Sequence, residues 1–399
     1  MFYLEKIYNL NQDDENFLQD LIDNKIMESL NLEYKRELPA PKNNIDLAKE
    51  VSSFANSNGG IIIYGIEEKN HFPEKLNPLD SNLKERIENI ILTSISPKIS
   101  TKIITIDSEN NPGKKYYVIY ISKSSDAPFM LISNQDNRYY KRVNFSSIPM
   151  EDYEVRLILE KNLKSKKEIF SEIEQRVVLF YEDRADQDMN GEYLRFVFKI
   201  NDCISLQDIN SNKFKNKKFY MNNLFNNHDF INCGKGKIIE YGIYDKSPNI
   251  DDYMKNYLLI NEDGYMEYVK LGIIKENTYF KAKELYPLDI LTDLMGFIYF
   301  LKDFCKEFKI INETFFYIEI YNIKNTILSS SNSIRFTGGH KQSLIDKWTD
   351  YKYIQAYELM SDCNSIIKNF ADRIYENYGY KDCPNLVEDN GELKILFKQ

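Results

Sequence analysis

Several acidic residues and one lysine near the start of the chain have the types and spacing of a divalent-cation site. Glu28, Glu33, Glu67 and Glu68 are the acids, and Lys35 lies two residues after Glu33. Carboxylate oxygens are the ligands that Mg²⁺ and Mn²⁺ prefer. A cation held this way activates water and stabilises charge on a phosphoryl group, while a nearby lysine offsets charge developing on a phosphodiester. Most acidic residues and lysines lie on solvated surfaces, so spacing alone favours that interpretation for any one of these residues and leaves the cation site as the alternative.

Hydrophobic periodicity places these residues at the ends of predicted elements. Gln12–Glu28 reads as a helix and Leu32–Leu38 as a strand, on which Glu33 and Lys35 share one face. A helix beginning at Asn43 or Asn44 runs through Ser57 and is stopped by a glycine pair. The apolar run Ile61–Ile66 is typical of a fully buried strand and leads into Glu67 and Glu68.

The rest of the chain continues the mixed α/β pattern, and we predict two domains, residues 1–165 and 166–399, joined by the lysine-rich segment Lys161–Lys167. In the first domain the remaining predicted elements are helices at Leu79–Ser94 and Met150–Leu163 and strands at Lys102–Asp107, Lys115–Ser122 and Arg138–Val143. In the second, α+β domain they are strands at Val177–Tyr181, Leu194–Ile200, Lys237–Ile243, Tyr257–Ile260, Tyr265–Leu271 and Thr314–Ile323, and helices at Pro287–Phe308 and within Trp348–Gly379.

Composition excludes several classes of protein. The 399 residues carry 61 acidic against 52 basic side chains, a formal net charge of −9, which argues against non-specific coating of nucleic acid but not against a local basic groove. The chain has no apolar run long enough for a transmembrane helix and no signal-peptide pattern at its start. Its five cysteines are widely spaced and form no CxxC pair, so we expect a reduced, cytoplasmic protein.

Familiar catalytic motifs are missing from the sequence. It contains no phosphate loop, no H-E-x-x-H and no G-x-S-x-G. His71, His228 and His340 lack metal-ligand spacing, so a histidine-based site would need distant residues to converge.

The strand that begins at Arg138 is the best candidate for contact with nucleic acid. Arginine, lysine and tyrosine alternate over five residues, Arg138-Tyr139-Tyr140-Lys141-Arg142. Such a mixture combines phosphate contacts with faces on which bases stack. An exposed strand whose long side chains extend along the surface is an equally good interpretation.

Taken together, the first 165 residues resemble the Schlafen AlbA-like domain, a family also described as divergent ATP-binding. The entry motif is Glu28-Ser29 followed by Glu33-Tyr34-Lys35, then the helix end Ser53-Phe54-Ala55-Asn56-Ser57-Asn58-Gly59-Gly60, and then Gly65-Ile66-Glu67-Glu68. Segments 123–128 and 138–143 resemble that domain's closing strands. The second half resembles some bacterial members only loosely.

The resemblance implies a metal-dependent endoribonuclease that cuts structured RNA such as tRNA, and single-stranded DNA is a further candidate substrate. The three acidic ligands of Mg²⁺ or Mn²⁺ would be Glu28, Glu33 and Glu68, with Glu67 as a substitute, because nuclease members place Asp where this chain has Glu68. Lys35 would stabilise the transition state, and Arg138, Tyr140, Lys141 and Arg142 would hold the RNA.

The resemblance also implies partners. Cleaving members often carry two acidic domains arranged as a clamp, so a single copy predicts a homodimer. A second domain that senses a small-molecule or protein trigger would suit a bacterial stress or antiphage defence effector. The alternative from another class is a non-catalytic regulator that binds nucleic acid or ATP.

Overall fold

The structure, a computed structural model, describes residue 10 and residues 13–132, 137–182, 191–200, 230–233, 236–241, 256–261, 263–277, 282–328 and 341–396. The chain divides into two compact units, Met1–Glu174 and Gln175–Gln399. Cys203, His228 and His340 lie outside the described residues.

The first unit is built on a mixed sheet. Strand β1 (Leu32–Lys35) pairs in parallel with β2 (Gly60–Tyr64), and β2 pairs antiparallel with β8 (Lys114–Ile121). Strand β8 also pairs antiparallel with β7 (Thr101–Asp107) and β5 (Leu79–Asp80). Because β2 is buried on both faces, its sequence is continuously apolar, as parallel-type strands require.

A second, smaller sheet and a hairpin complete the β structure of this unit. The sheet has the order β11 (Ser146–Pro149), β10 (Arg138–Val143), β9 (Met130–Leu131) and β6 (Ile95–Ser96). The hairpin joins β3 (Ile66–Lys69) to β4 (Phe72–Leu76).

Among its described residues, the first unit contains or begins four helices, α1 (Glu15–Asp23), α2 (Asn44–Ala55), α3 (Lys84–Ser94) and α4 (Asp152–Glu182), and a 3₁₀ turn at Pro41–Asn43. Helix α2 buries its apolar stripe in the core, and the members of that stripe are Leu47, Ala48, Val51, Phe54 and Ala55. Burial of this stripe against β2 and β8 fixes where α2 lies and therefore where the chain enters β2.

The second unit has a seven-stranded antiparallel sheet. Its order is β13 (Phe230–Cys233), β14 (Gly236–Tyr241), β15 (Asn256–Asn261), β16 (Tyr265–Leu271), β12 (Tyr193–Ile200), β19 (Glu313–Tyr321) and β21 (Lys347–Gln355). Helices α5 (Pro287–Glu307), α6 (Ala356–Ser361) and α7 (Cys363–Asn377) share its apolar core. Strands β17 (Ile274–Asn277), β18 (Ala282–Leu285) and β20 (Thr326–Leu328) form a three-stranded sheet, and β22 (Leu386–Asp389) pairs with β23 (Glu392–Ile395).

The mixed α/β class predicted from the sequence is confirmed, and three local predictions are wrong. Val177–Tyr181, predicted as a strand, lies inside α4, as does the predicted linker Lys161–Lys167. The sequence predicts a helix that begins at Trp348, but Trp348 lies in strand β21. Pairing with β19 decides this segment, because tertiary pairing outweighs a short segment's own preference. None of the described helices is apolar enough over a sufficient length to cross a membrane.

Candidate metal site

Glu28, Glu68 and His71 bring one ligand atom each to within 4.8 Å of one another. Glu28 is buried, His71 is half-buried and Glu68 is exposed, so the cluster opens to solvent on one side. Two carboxylates and an imidazole are a donor set that suits divalent ions of the first transition row, and the carboxylates alone suit Mg²⁺. These residues therefore fit the divalent cation that the sequence led us to expect.

Glu28 is held rigidly by the backbone of the neighbouring strand. The Tyr34 N–H donates to Glu28 Oε1 at 2.9 Å, and the Glu28 N–H donates to the carbonyl oxygen of His71 at 2.8 Å. Glu28 Oε2 lies 2.7 Å from His71 Nδ1. The carboxylate is thus fixed between β1 and the β3–β4 hairpin before any ligand arrives.

His71 occupies the turn of that hairpin. Asn70 and His71 have φ angles of 51° and 67°, the pair of left-handed conformations of a two-residue type I′ turn. The His71 N–H donates to Glu68 Oε2 at 2.9 Å, and the ring stacks on Phe145 with centroids 3.9 Å apart and planes at 14°. The turn and the stacking together set the direction of the imidazole toward Glu28.

The carboxylate of Glu33 belongs to a separate ion-pair network. Its Oε1 lies 2.5 Å from Lys35 Nζ, and its Oε2 pairs with Arg142 Nη2. Lys35 also pairs with Glu50 at 3.2 Å. The structure does not place Glu33 with Glu28 and Glu68 in the cluster around His71.

This network keeps Lys35 charged. Burial lowers the pKa of Lys35, but Glu50 and Glu33 raise it by more, so the net shift of its pKa is upward. Burial raises the pKa of Glu50, which Lys35 partly counteracts. Lys35 is one-third exposed and remains a cation at neutral pH, which the proposed phosphate contact requires.

Strand β10 turns two of the four predicted RNA contacts, Tyr140 and Arg142, inward. Tyr140 is buried in the core, and its carbonyl accepts from the side chain of Asn56 at 2.9 Å. The Arg142 side chain is 1% exposed and lies over the ring of Phe54, with 4.5 Å from guanidinium carbon to ring centroid. Neither residue offers a surface to RNA here.

Arg138 and Lys141 keep some access to solvent. Arg138 is exposed, whereas Lys141 is half-buried and ion-paired with Glu154. Of the four residues predicted to contact nucleic acid, these two cations are the ones that remain accessible to solvent.

The motif that ends α2 is structural. Asn56 Nδ2 donates to the carbonyls of Phe129 and Tyr140, and its Oδ1 accepts from the Phe129 N–H at 2.6 Å. Gly59 has a φ of 68°, and a Cβ there would lie 2.5 Å from the carbonyl oxygen of Ile121. Only glycine fits this close approach of two backbones.

The structure separates the two adjacent glutamates that the sequence left as alternatives. Glu67 pairs with Arg36 at 3.5 Å, while Glu68 joins the cluster. A register shift in the hairpin between Glu67 and Glu68 accompanies this division. Glu68, not Glu67, is therefore the acid placed to act with Glu28.

His71 is the member of the cluster that sequence reasoning missed. It lies 43 residues from Glu28, so no local spacing relates them. The one local signal was Asn70, because asparagine tolerates the left-handed conformation that a turn at this point requires.

Comparison with known proteins supports the resemblance. Residues 28–151 match the family model described as Schlafen, AlbA_2, so this part of the chain is a Schlafen AlbA-like domain, and the family indicates a nucleic-acid-related function. No curated protein matches the chain. Among solved structures, the chain is similar to the DIP2311 protein from Corynebacterium diphtheriae, with 20% identity, a TM-score of 0.22 and coverage of 31% of this chain. The match spans 22% of that protein's length.

Proposed function

We propose that this Schlafen AlbA-like domain is a metal-dependent endonuclease that hydrolyses phosphodiester bonds in structured RNA such as tRNA, or in single-stranded DNA. The observation that carries the proposal is that Glu28, Glu68 and His71 place one ligand atom each within 4.8 Å of one another, with Glu28 buried, His71 half-buried and Glu68 exposed. A divalent cation with open coordination positions needs such a half-exposed donor set.

Glu28, Glu68 and His71 would hold Mn²⁺ or Mg²⁺, and the cation, when bound, would supply an activated water and charge stabilisation at the phosphoryl group. The residues of the chain orient the ligand side chains. The backbone of Tyr34 orients Glu28, and the ring of Phe145 orients His71, so little reorganisation accompanies binding.

Lys35 is the cation proposed to stabilise the phosphodiester. It is partly exposed, its charge is secured by Glu33 and Glu50, and it lies on the strand that follows Glu28. The exposed Arg138 on β10 would contact the nucleic-acid backbone, and the half-buried Lys141 would do so by exchanging its ion pair with Glu154 for a phosphate.

The adjacent glutamates supply a sharp test. The purified full chain is incubated with total tRNA and with single-stranded DNA, in Mn²⁺ and in EDTA, alongside the Glu68→Gln and Glu67→Gln variants. We expect cleavage in Mn²⁺ that EDTA and Glu68→Gln abolish and that Glu67→Gln leaves intact. Glu67→Gln is the matched control, because Glu67 is the neighbouring acid and is directed toward Arg36.

A second candidate is a non-catalytic regulator that binds nucleic acid or ATP. The ion pair of Glu33 with Arg142 favours this alternative, because it leaves two of the three expected carboxylates to bind the cation. Binding of RNA or ATP without cleavage in any metal, and unchanged by Glu68→Gln, would replace the nuclease proposal with this one.

The nuclease proposal also predicts an effect of expression on cell growth. A bacterial stress or antiphage effector that cuts RNA slows growth when expressed, and Glu68→Gln would relieve that toxicity. The second unit would then carry the site of the small-molecule or protein trigger.

A further inference from the structure

Two carboxylates, Glu33 and Glu50, share the ammonium group of Lys35. Lys35 Nζ lies 2.5 Å from Glu33 Oε1 on the same strand and 3.2 Å from Glu50 Oε1 on α2. Glu33 has a second counter-ion, because its Oε2 pairs with the buried guanidinium of Arg142. Among the described residues, Lys35 is the one cation with which Glu50 forms an ion pair. The network therefore balances two cations against two carboxylates, and Glu50 is the acid at its end.

A phosphate that contacts Lys35 adds a third negative charge to this balanced network. An ammonium group has three N–H donors, and Glu33 and Glu50 lie on two sides of this one. A phosphate oxygen that accepts the third N–H lies close to Glu50, and one that displaces Glu50 leaves a carboxylate only 21% exposed without its counter-ion. In both arrangements the ionised form of a largely buried carboxylate is disfavoured. Glu33 stays ionised beside Arg142, so Glu50 is the group that becomes neutral.

The surroundings of Glu50 favour its protonated form once Lys35 is engaged elsewhere. Burial raises the pKa of Glu50 and the nearby Glu33 raises it further, whereas Lys35 and, more weakly, Arg142 lower it. A phosphate on Lys35 counteracts the stronger of these two cations. Three further ionisable groups lie around the two carboxylates, on β2, α2 and α3, and they are Tyr64, Asp46 and Arg86. Burial keeps the tyrosine neutral, and the other two carry opposite charges.

We propose that Glu50 takes up a proton from solvent when a nucleic-acid phosphate binds to Lys35, so that binding weakens as pH rises. The proton adds to a Glu50 carboxylate oxygen and is released when the phosphate leaves. Because the bound state holds more protons than the free state, the association constant falls with increasing pH. The inference rests on the proposed function in taking Lys35 as the phosphate contact, and it holds whether or not the bound strand is cut.

A second lysine–glutamate pair provides a matched control. Lys141 on β10 pairs with Glu154 on α4, whose side chain is 18% exposed and therefore as buried as that of Glu50. Glu154 Oε2 also accepts from the Glu151 N–H at 3.0 Å, and Lys141 and this N–H lower the pKa of Glu154. A backbone donor in the first turn of a helix stabilises the carboxylate after its lysine has moved away, so Glu154 stays ionised.

The first experiment measures the pH dependence of binding. Fluorescence anisotropy gives the affinity of the full chain for one labelled tRNA from about pH 6.5 to pH 8, at constant salt and in EDTA, which keeps the RNA uncut. We expect the wild-type affinity to fall by about three- to tenfold more per pH unit than that of Glu50→Gln, the slope given by about 0.5 to 1 proton. Glu154→Gln should keep the wild-type slope. Circular dichroism checks that the variants are folded.

A second experiment counts the protons directly. Isothermal titration of the same tRNA in two buffers of different ionisation enthalpy gives the number of protons taken up on binding. The wild type should take up about 0.5 to 1 proton more than Glu50→Gln. Lys35→Gln, which lacks the phosphate contact, should bind more weakly and take up no more protons than Glu50→Gln.

The outcomes separate this proposal from the nuclease proposal. A Glu50→Gln chain with the pH slope and proton uptake of the wild type overturns the role of Glu50 and leaves the nuclease proposal as it stands. Proton uptake that depends on Glu50, without cleavage in Mn²⁺, supports the role of Glu50 and overturns the nuclease instead. Binding that Lys35→Gln does not weaken, or no binding of nucleic acid, overturns the phosphate contact and the role of Glu50 with it.

Discussion

The Glu33 carboxylate is ion-paired with the guanidinium of Arg142, 109 residues later in the chain, and both side chains lie in the interior of the first unit. Arg142 Nε is buried without a hydrogen-bond partner among the described residues. The guanidinium therefore depends on Glu33 and on the face of Phe54 for its stabilisation. An acid that the sequence assigns to a metal is, in the fold, the counter-ion of a buried arginine.

Removing that counter-ion is expected to destabilise the first unit. Glu33→Gln leaves a buried, uncompensated guanidinium, and we expect the free energy of unfolding to fall by about 3–5 kcal/mol. Urea unfolding measures the change. Glu33→Gln/Arg142→Met, which removes both charges, should recover most of the loss, while Arg138→Met, an exposed arginine of the same strand, should have little effect.

Equal instability of the Glu33→Gln and double variants would show that the pair is not what stabilises this region. The prediction also bears on activity. A Glu33 variant without activity could simply be unfolded, so it identifies no metal ligand, whereas exposed Glu68 can be changed without this cost.

His71 is expected to determine which cation binds. His71→Asn keeps a residue that tolerates the left-handed turn but removes the imidazole. Because imidazole suits transition metals and Mg²⁺ prefers oxygen, Mn²⁺ affinity should fall about tenfold or more and Mg²⁺ affinity should change less. Isothermal titration with each metal alone measures both. Asn70→Gly alters the same turn and should leave both affinities unchanged; equal losses for the two metals would argue against His71 as a ligand.

Gly59 should be irreplaceable for steric reasons and not only for its backbone angle. Gly59 and Gly113 have φ angles of 68° and 84°, but a Cβ on Gly59 would lie 2.5 Å from the carbonyl oxygen of Ile121, whereas a Cβ on Gly113 would meet nothing within 4 Å. Gly113→Ala should cost about 1–2 kcal/mol from backbone strain alone. Gly59→Ala should cost about 3 kcal/mol or more, because overpacking adds to the same strain. Thermal unfolding of the two variants compares them, and similar losses would remove the steric argument.

Asp293 should make the stability of the second unit depend on pH. Burial raises its pKa to about 6, although Lys270, at 2.8 Å, works in the opposite direction. The folded state therefore holds this proton more tightly than the unfolded state. The contribution of Asp293 is fully present below pH 3.8 and is lost as pH rises to about 6, a change of about 3 kcal/mol.

The measurement for Asp293 is the difference in unfolding free energy between the wild type and Asp293→Asn, followed from pH 4 to pH 7. The wild type should lose stability relative to the variant as pH rises, since the variant has no carboxyl to ionise. A difference that does not vary with pH would show that Asp293 has an ordinary pKa in the folded protein.

Much of the fold follows from the sequence alone. The strands Arg138–Val143 and Tyr265–Leu271 and the start of α5 at Pro287 lie where periodicity and turn residues place them. The glycine pair that follows α2 was also predicted. These features are local: each depends on residues a few positions apart, whose relation is the same in any compact fold.

The tertiary structure decided the composition of the site. His71 contacts Glu28, from which it is separated by 43 residues in the chain. Glu33 is ion-paired with Arg142, 109 residues later. A shift in strand register separates the environments of Glu67 and Glu68. The tertiary structure also made a strand of residues 347–355 by pairing them with β19. Such relations depend on which surfaces are buried together, because an ion pair or a ligand cluster is stabilised only when desolvation and packing fix its members. No spacing along the chain encodes that choice.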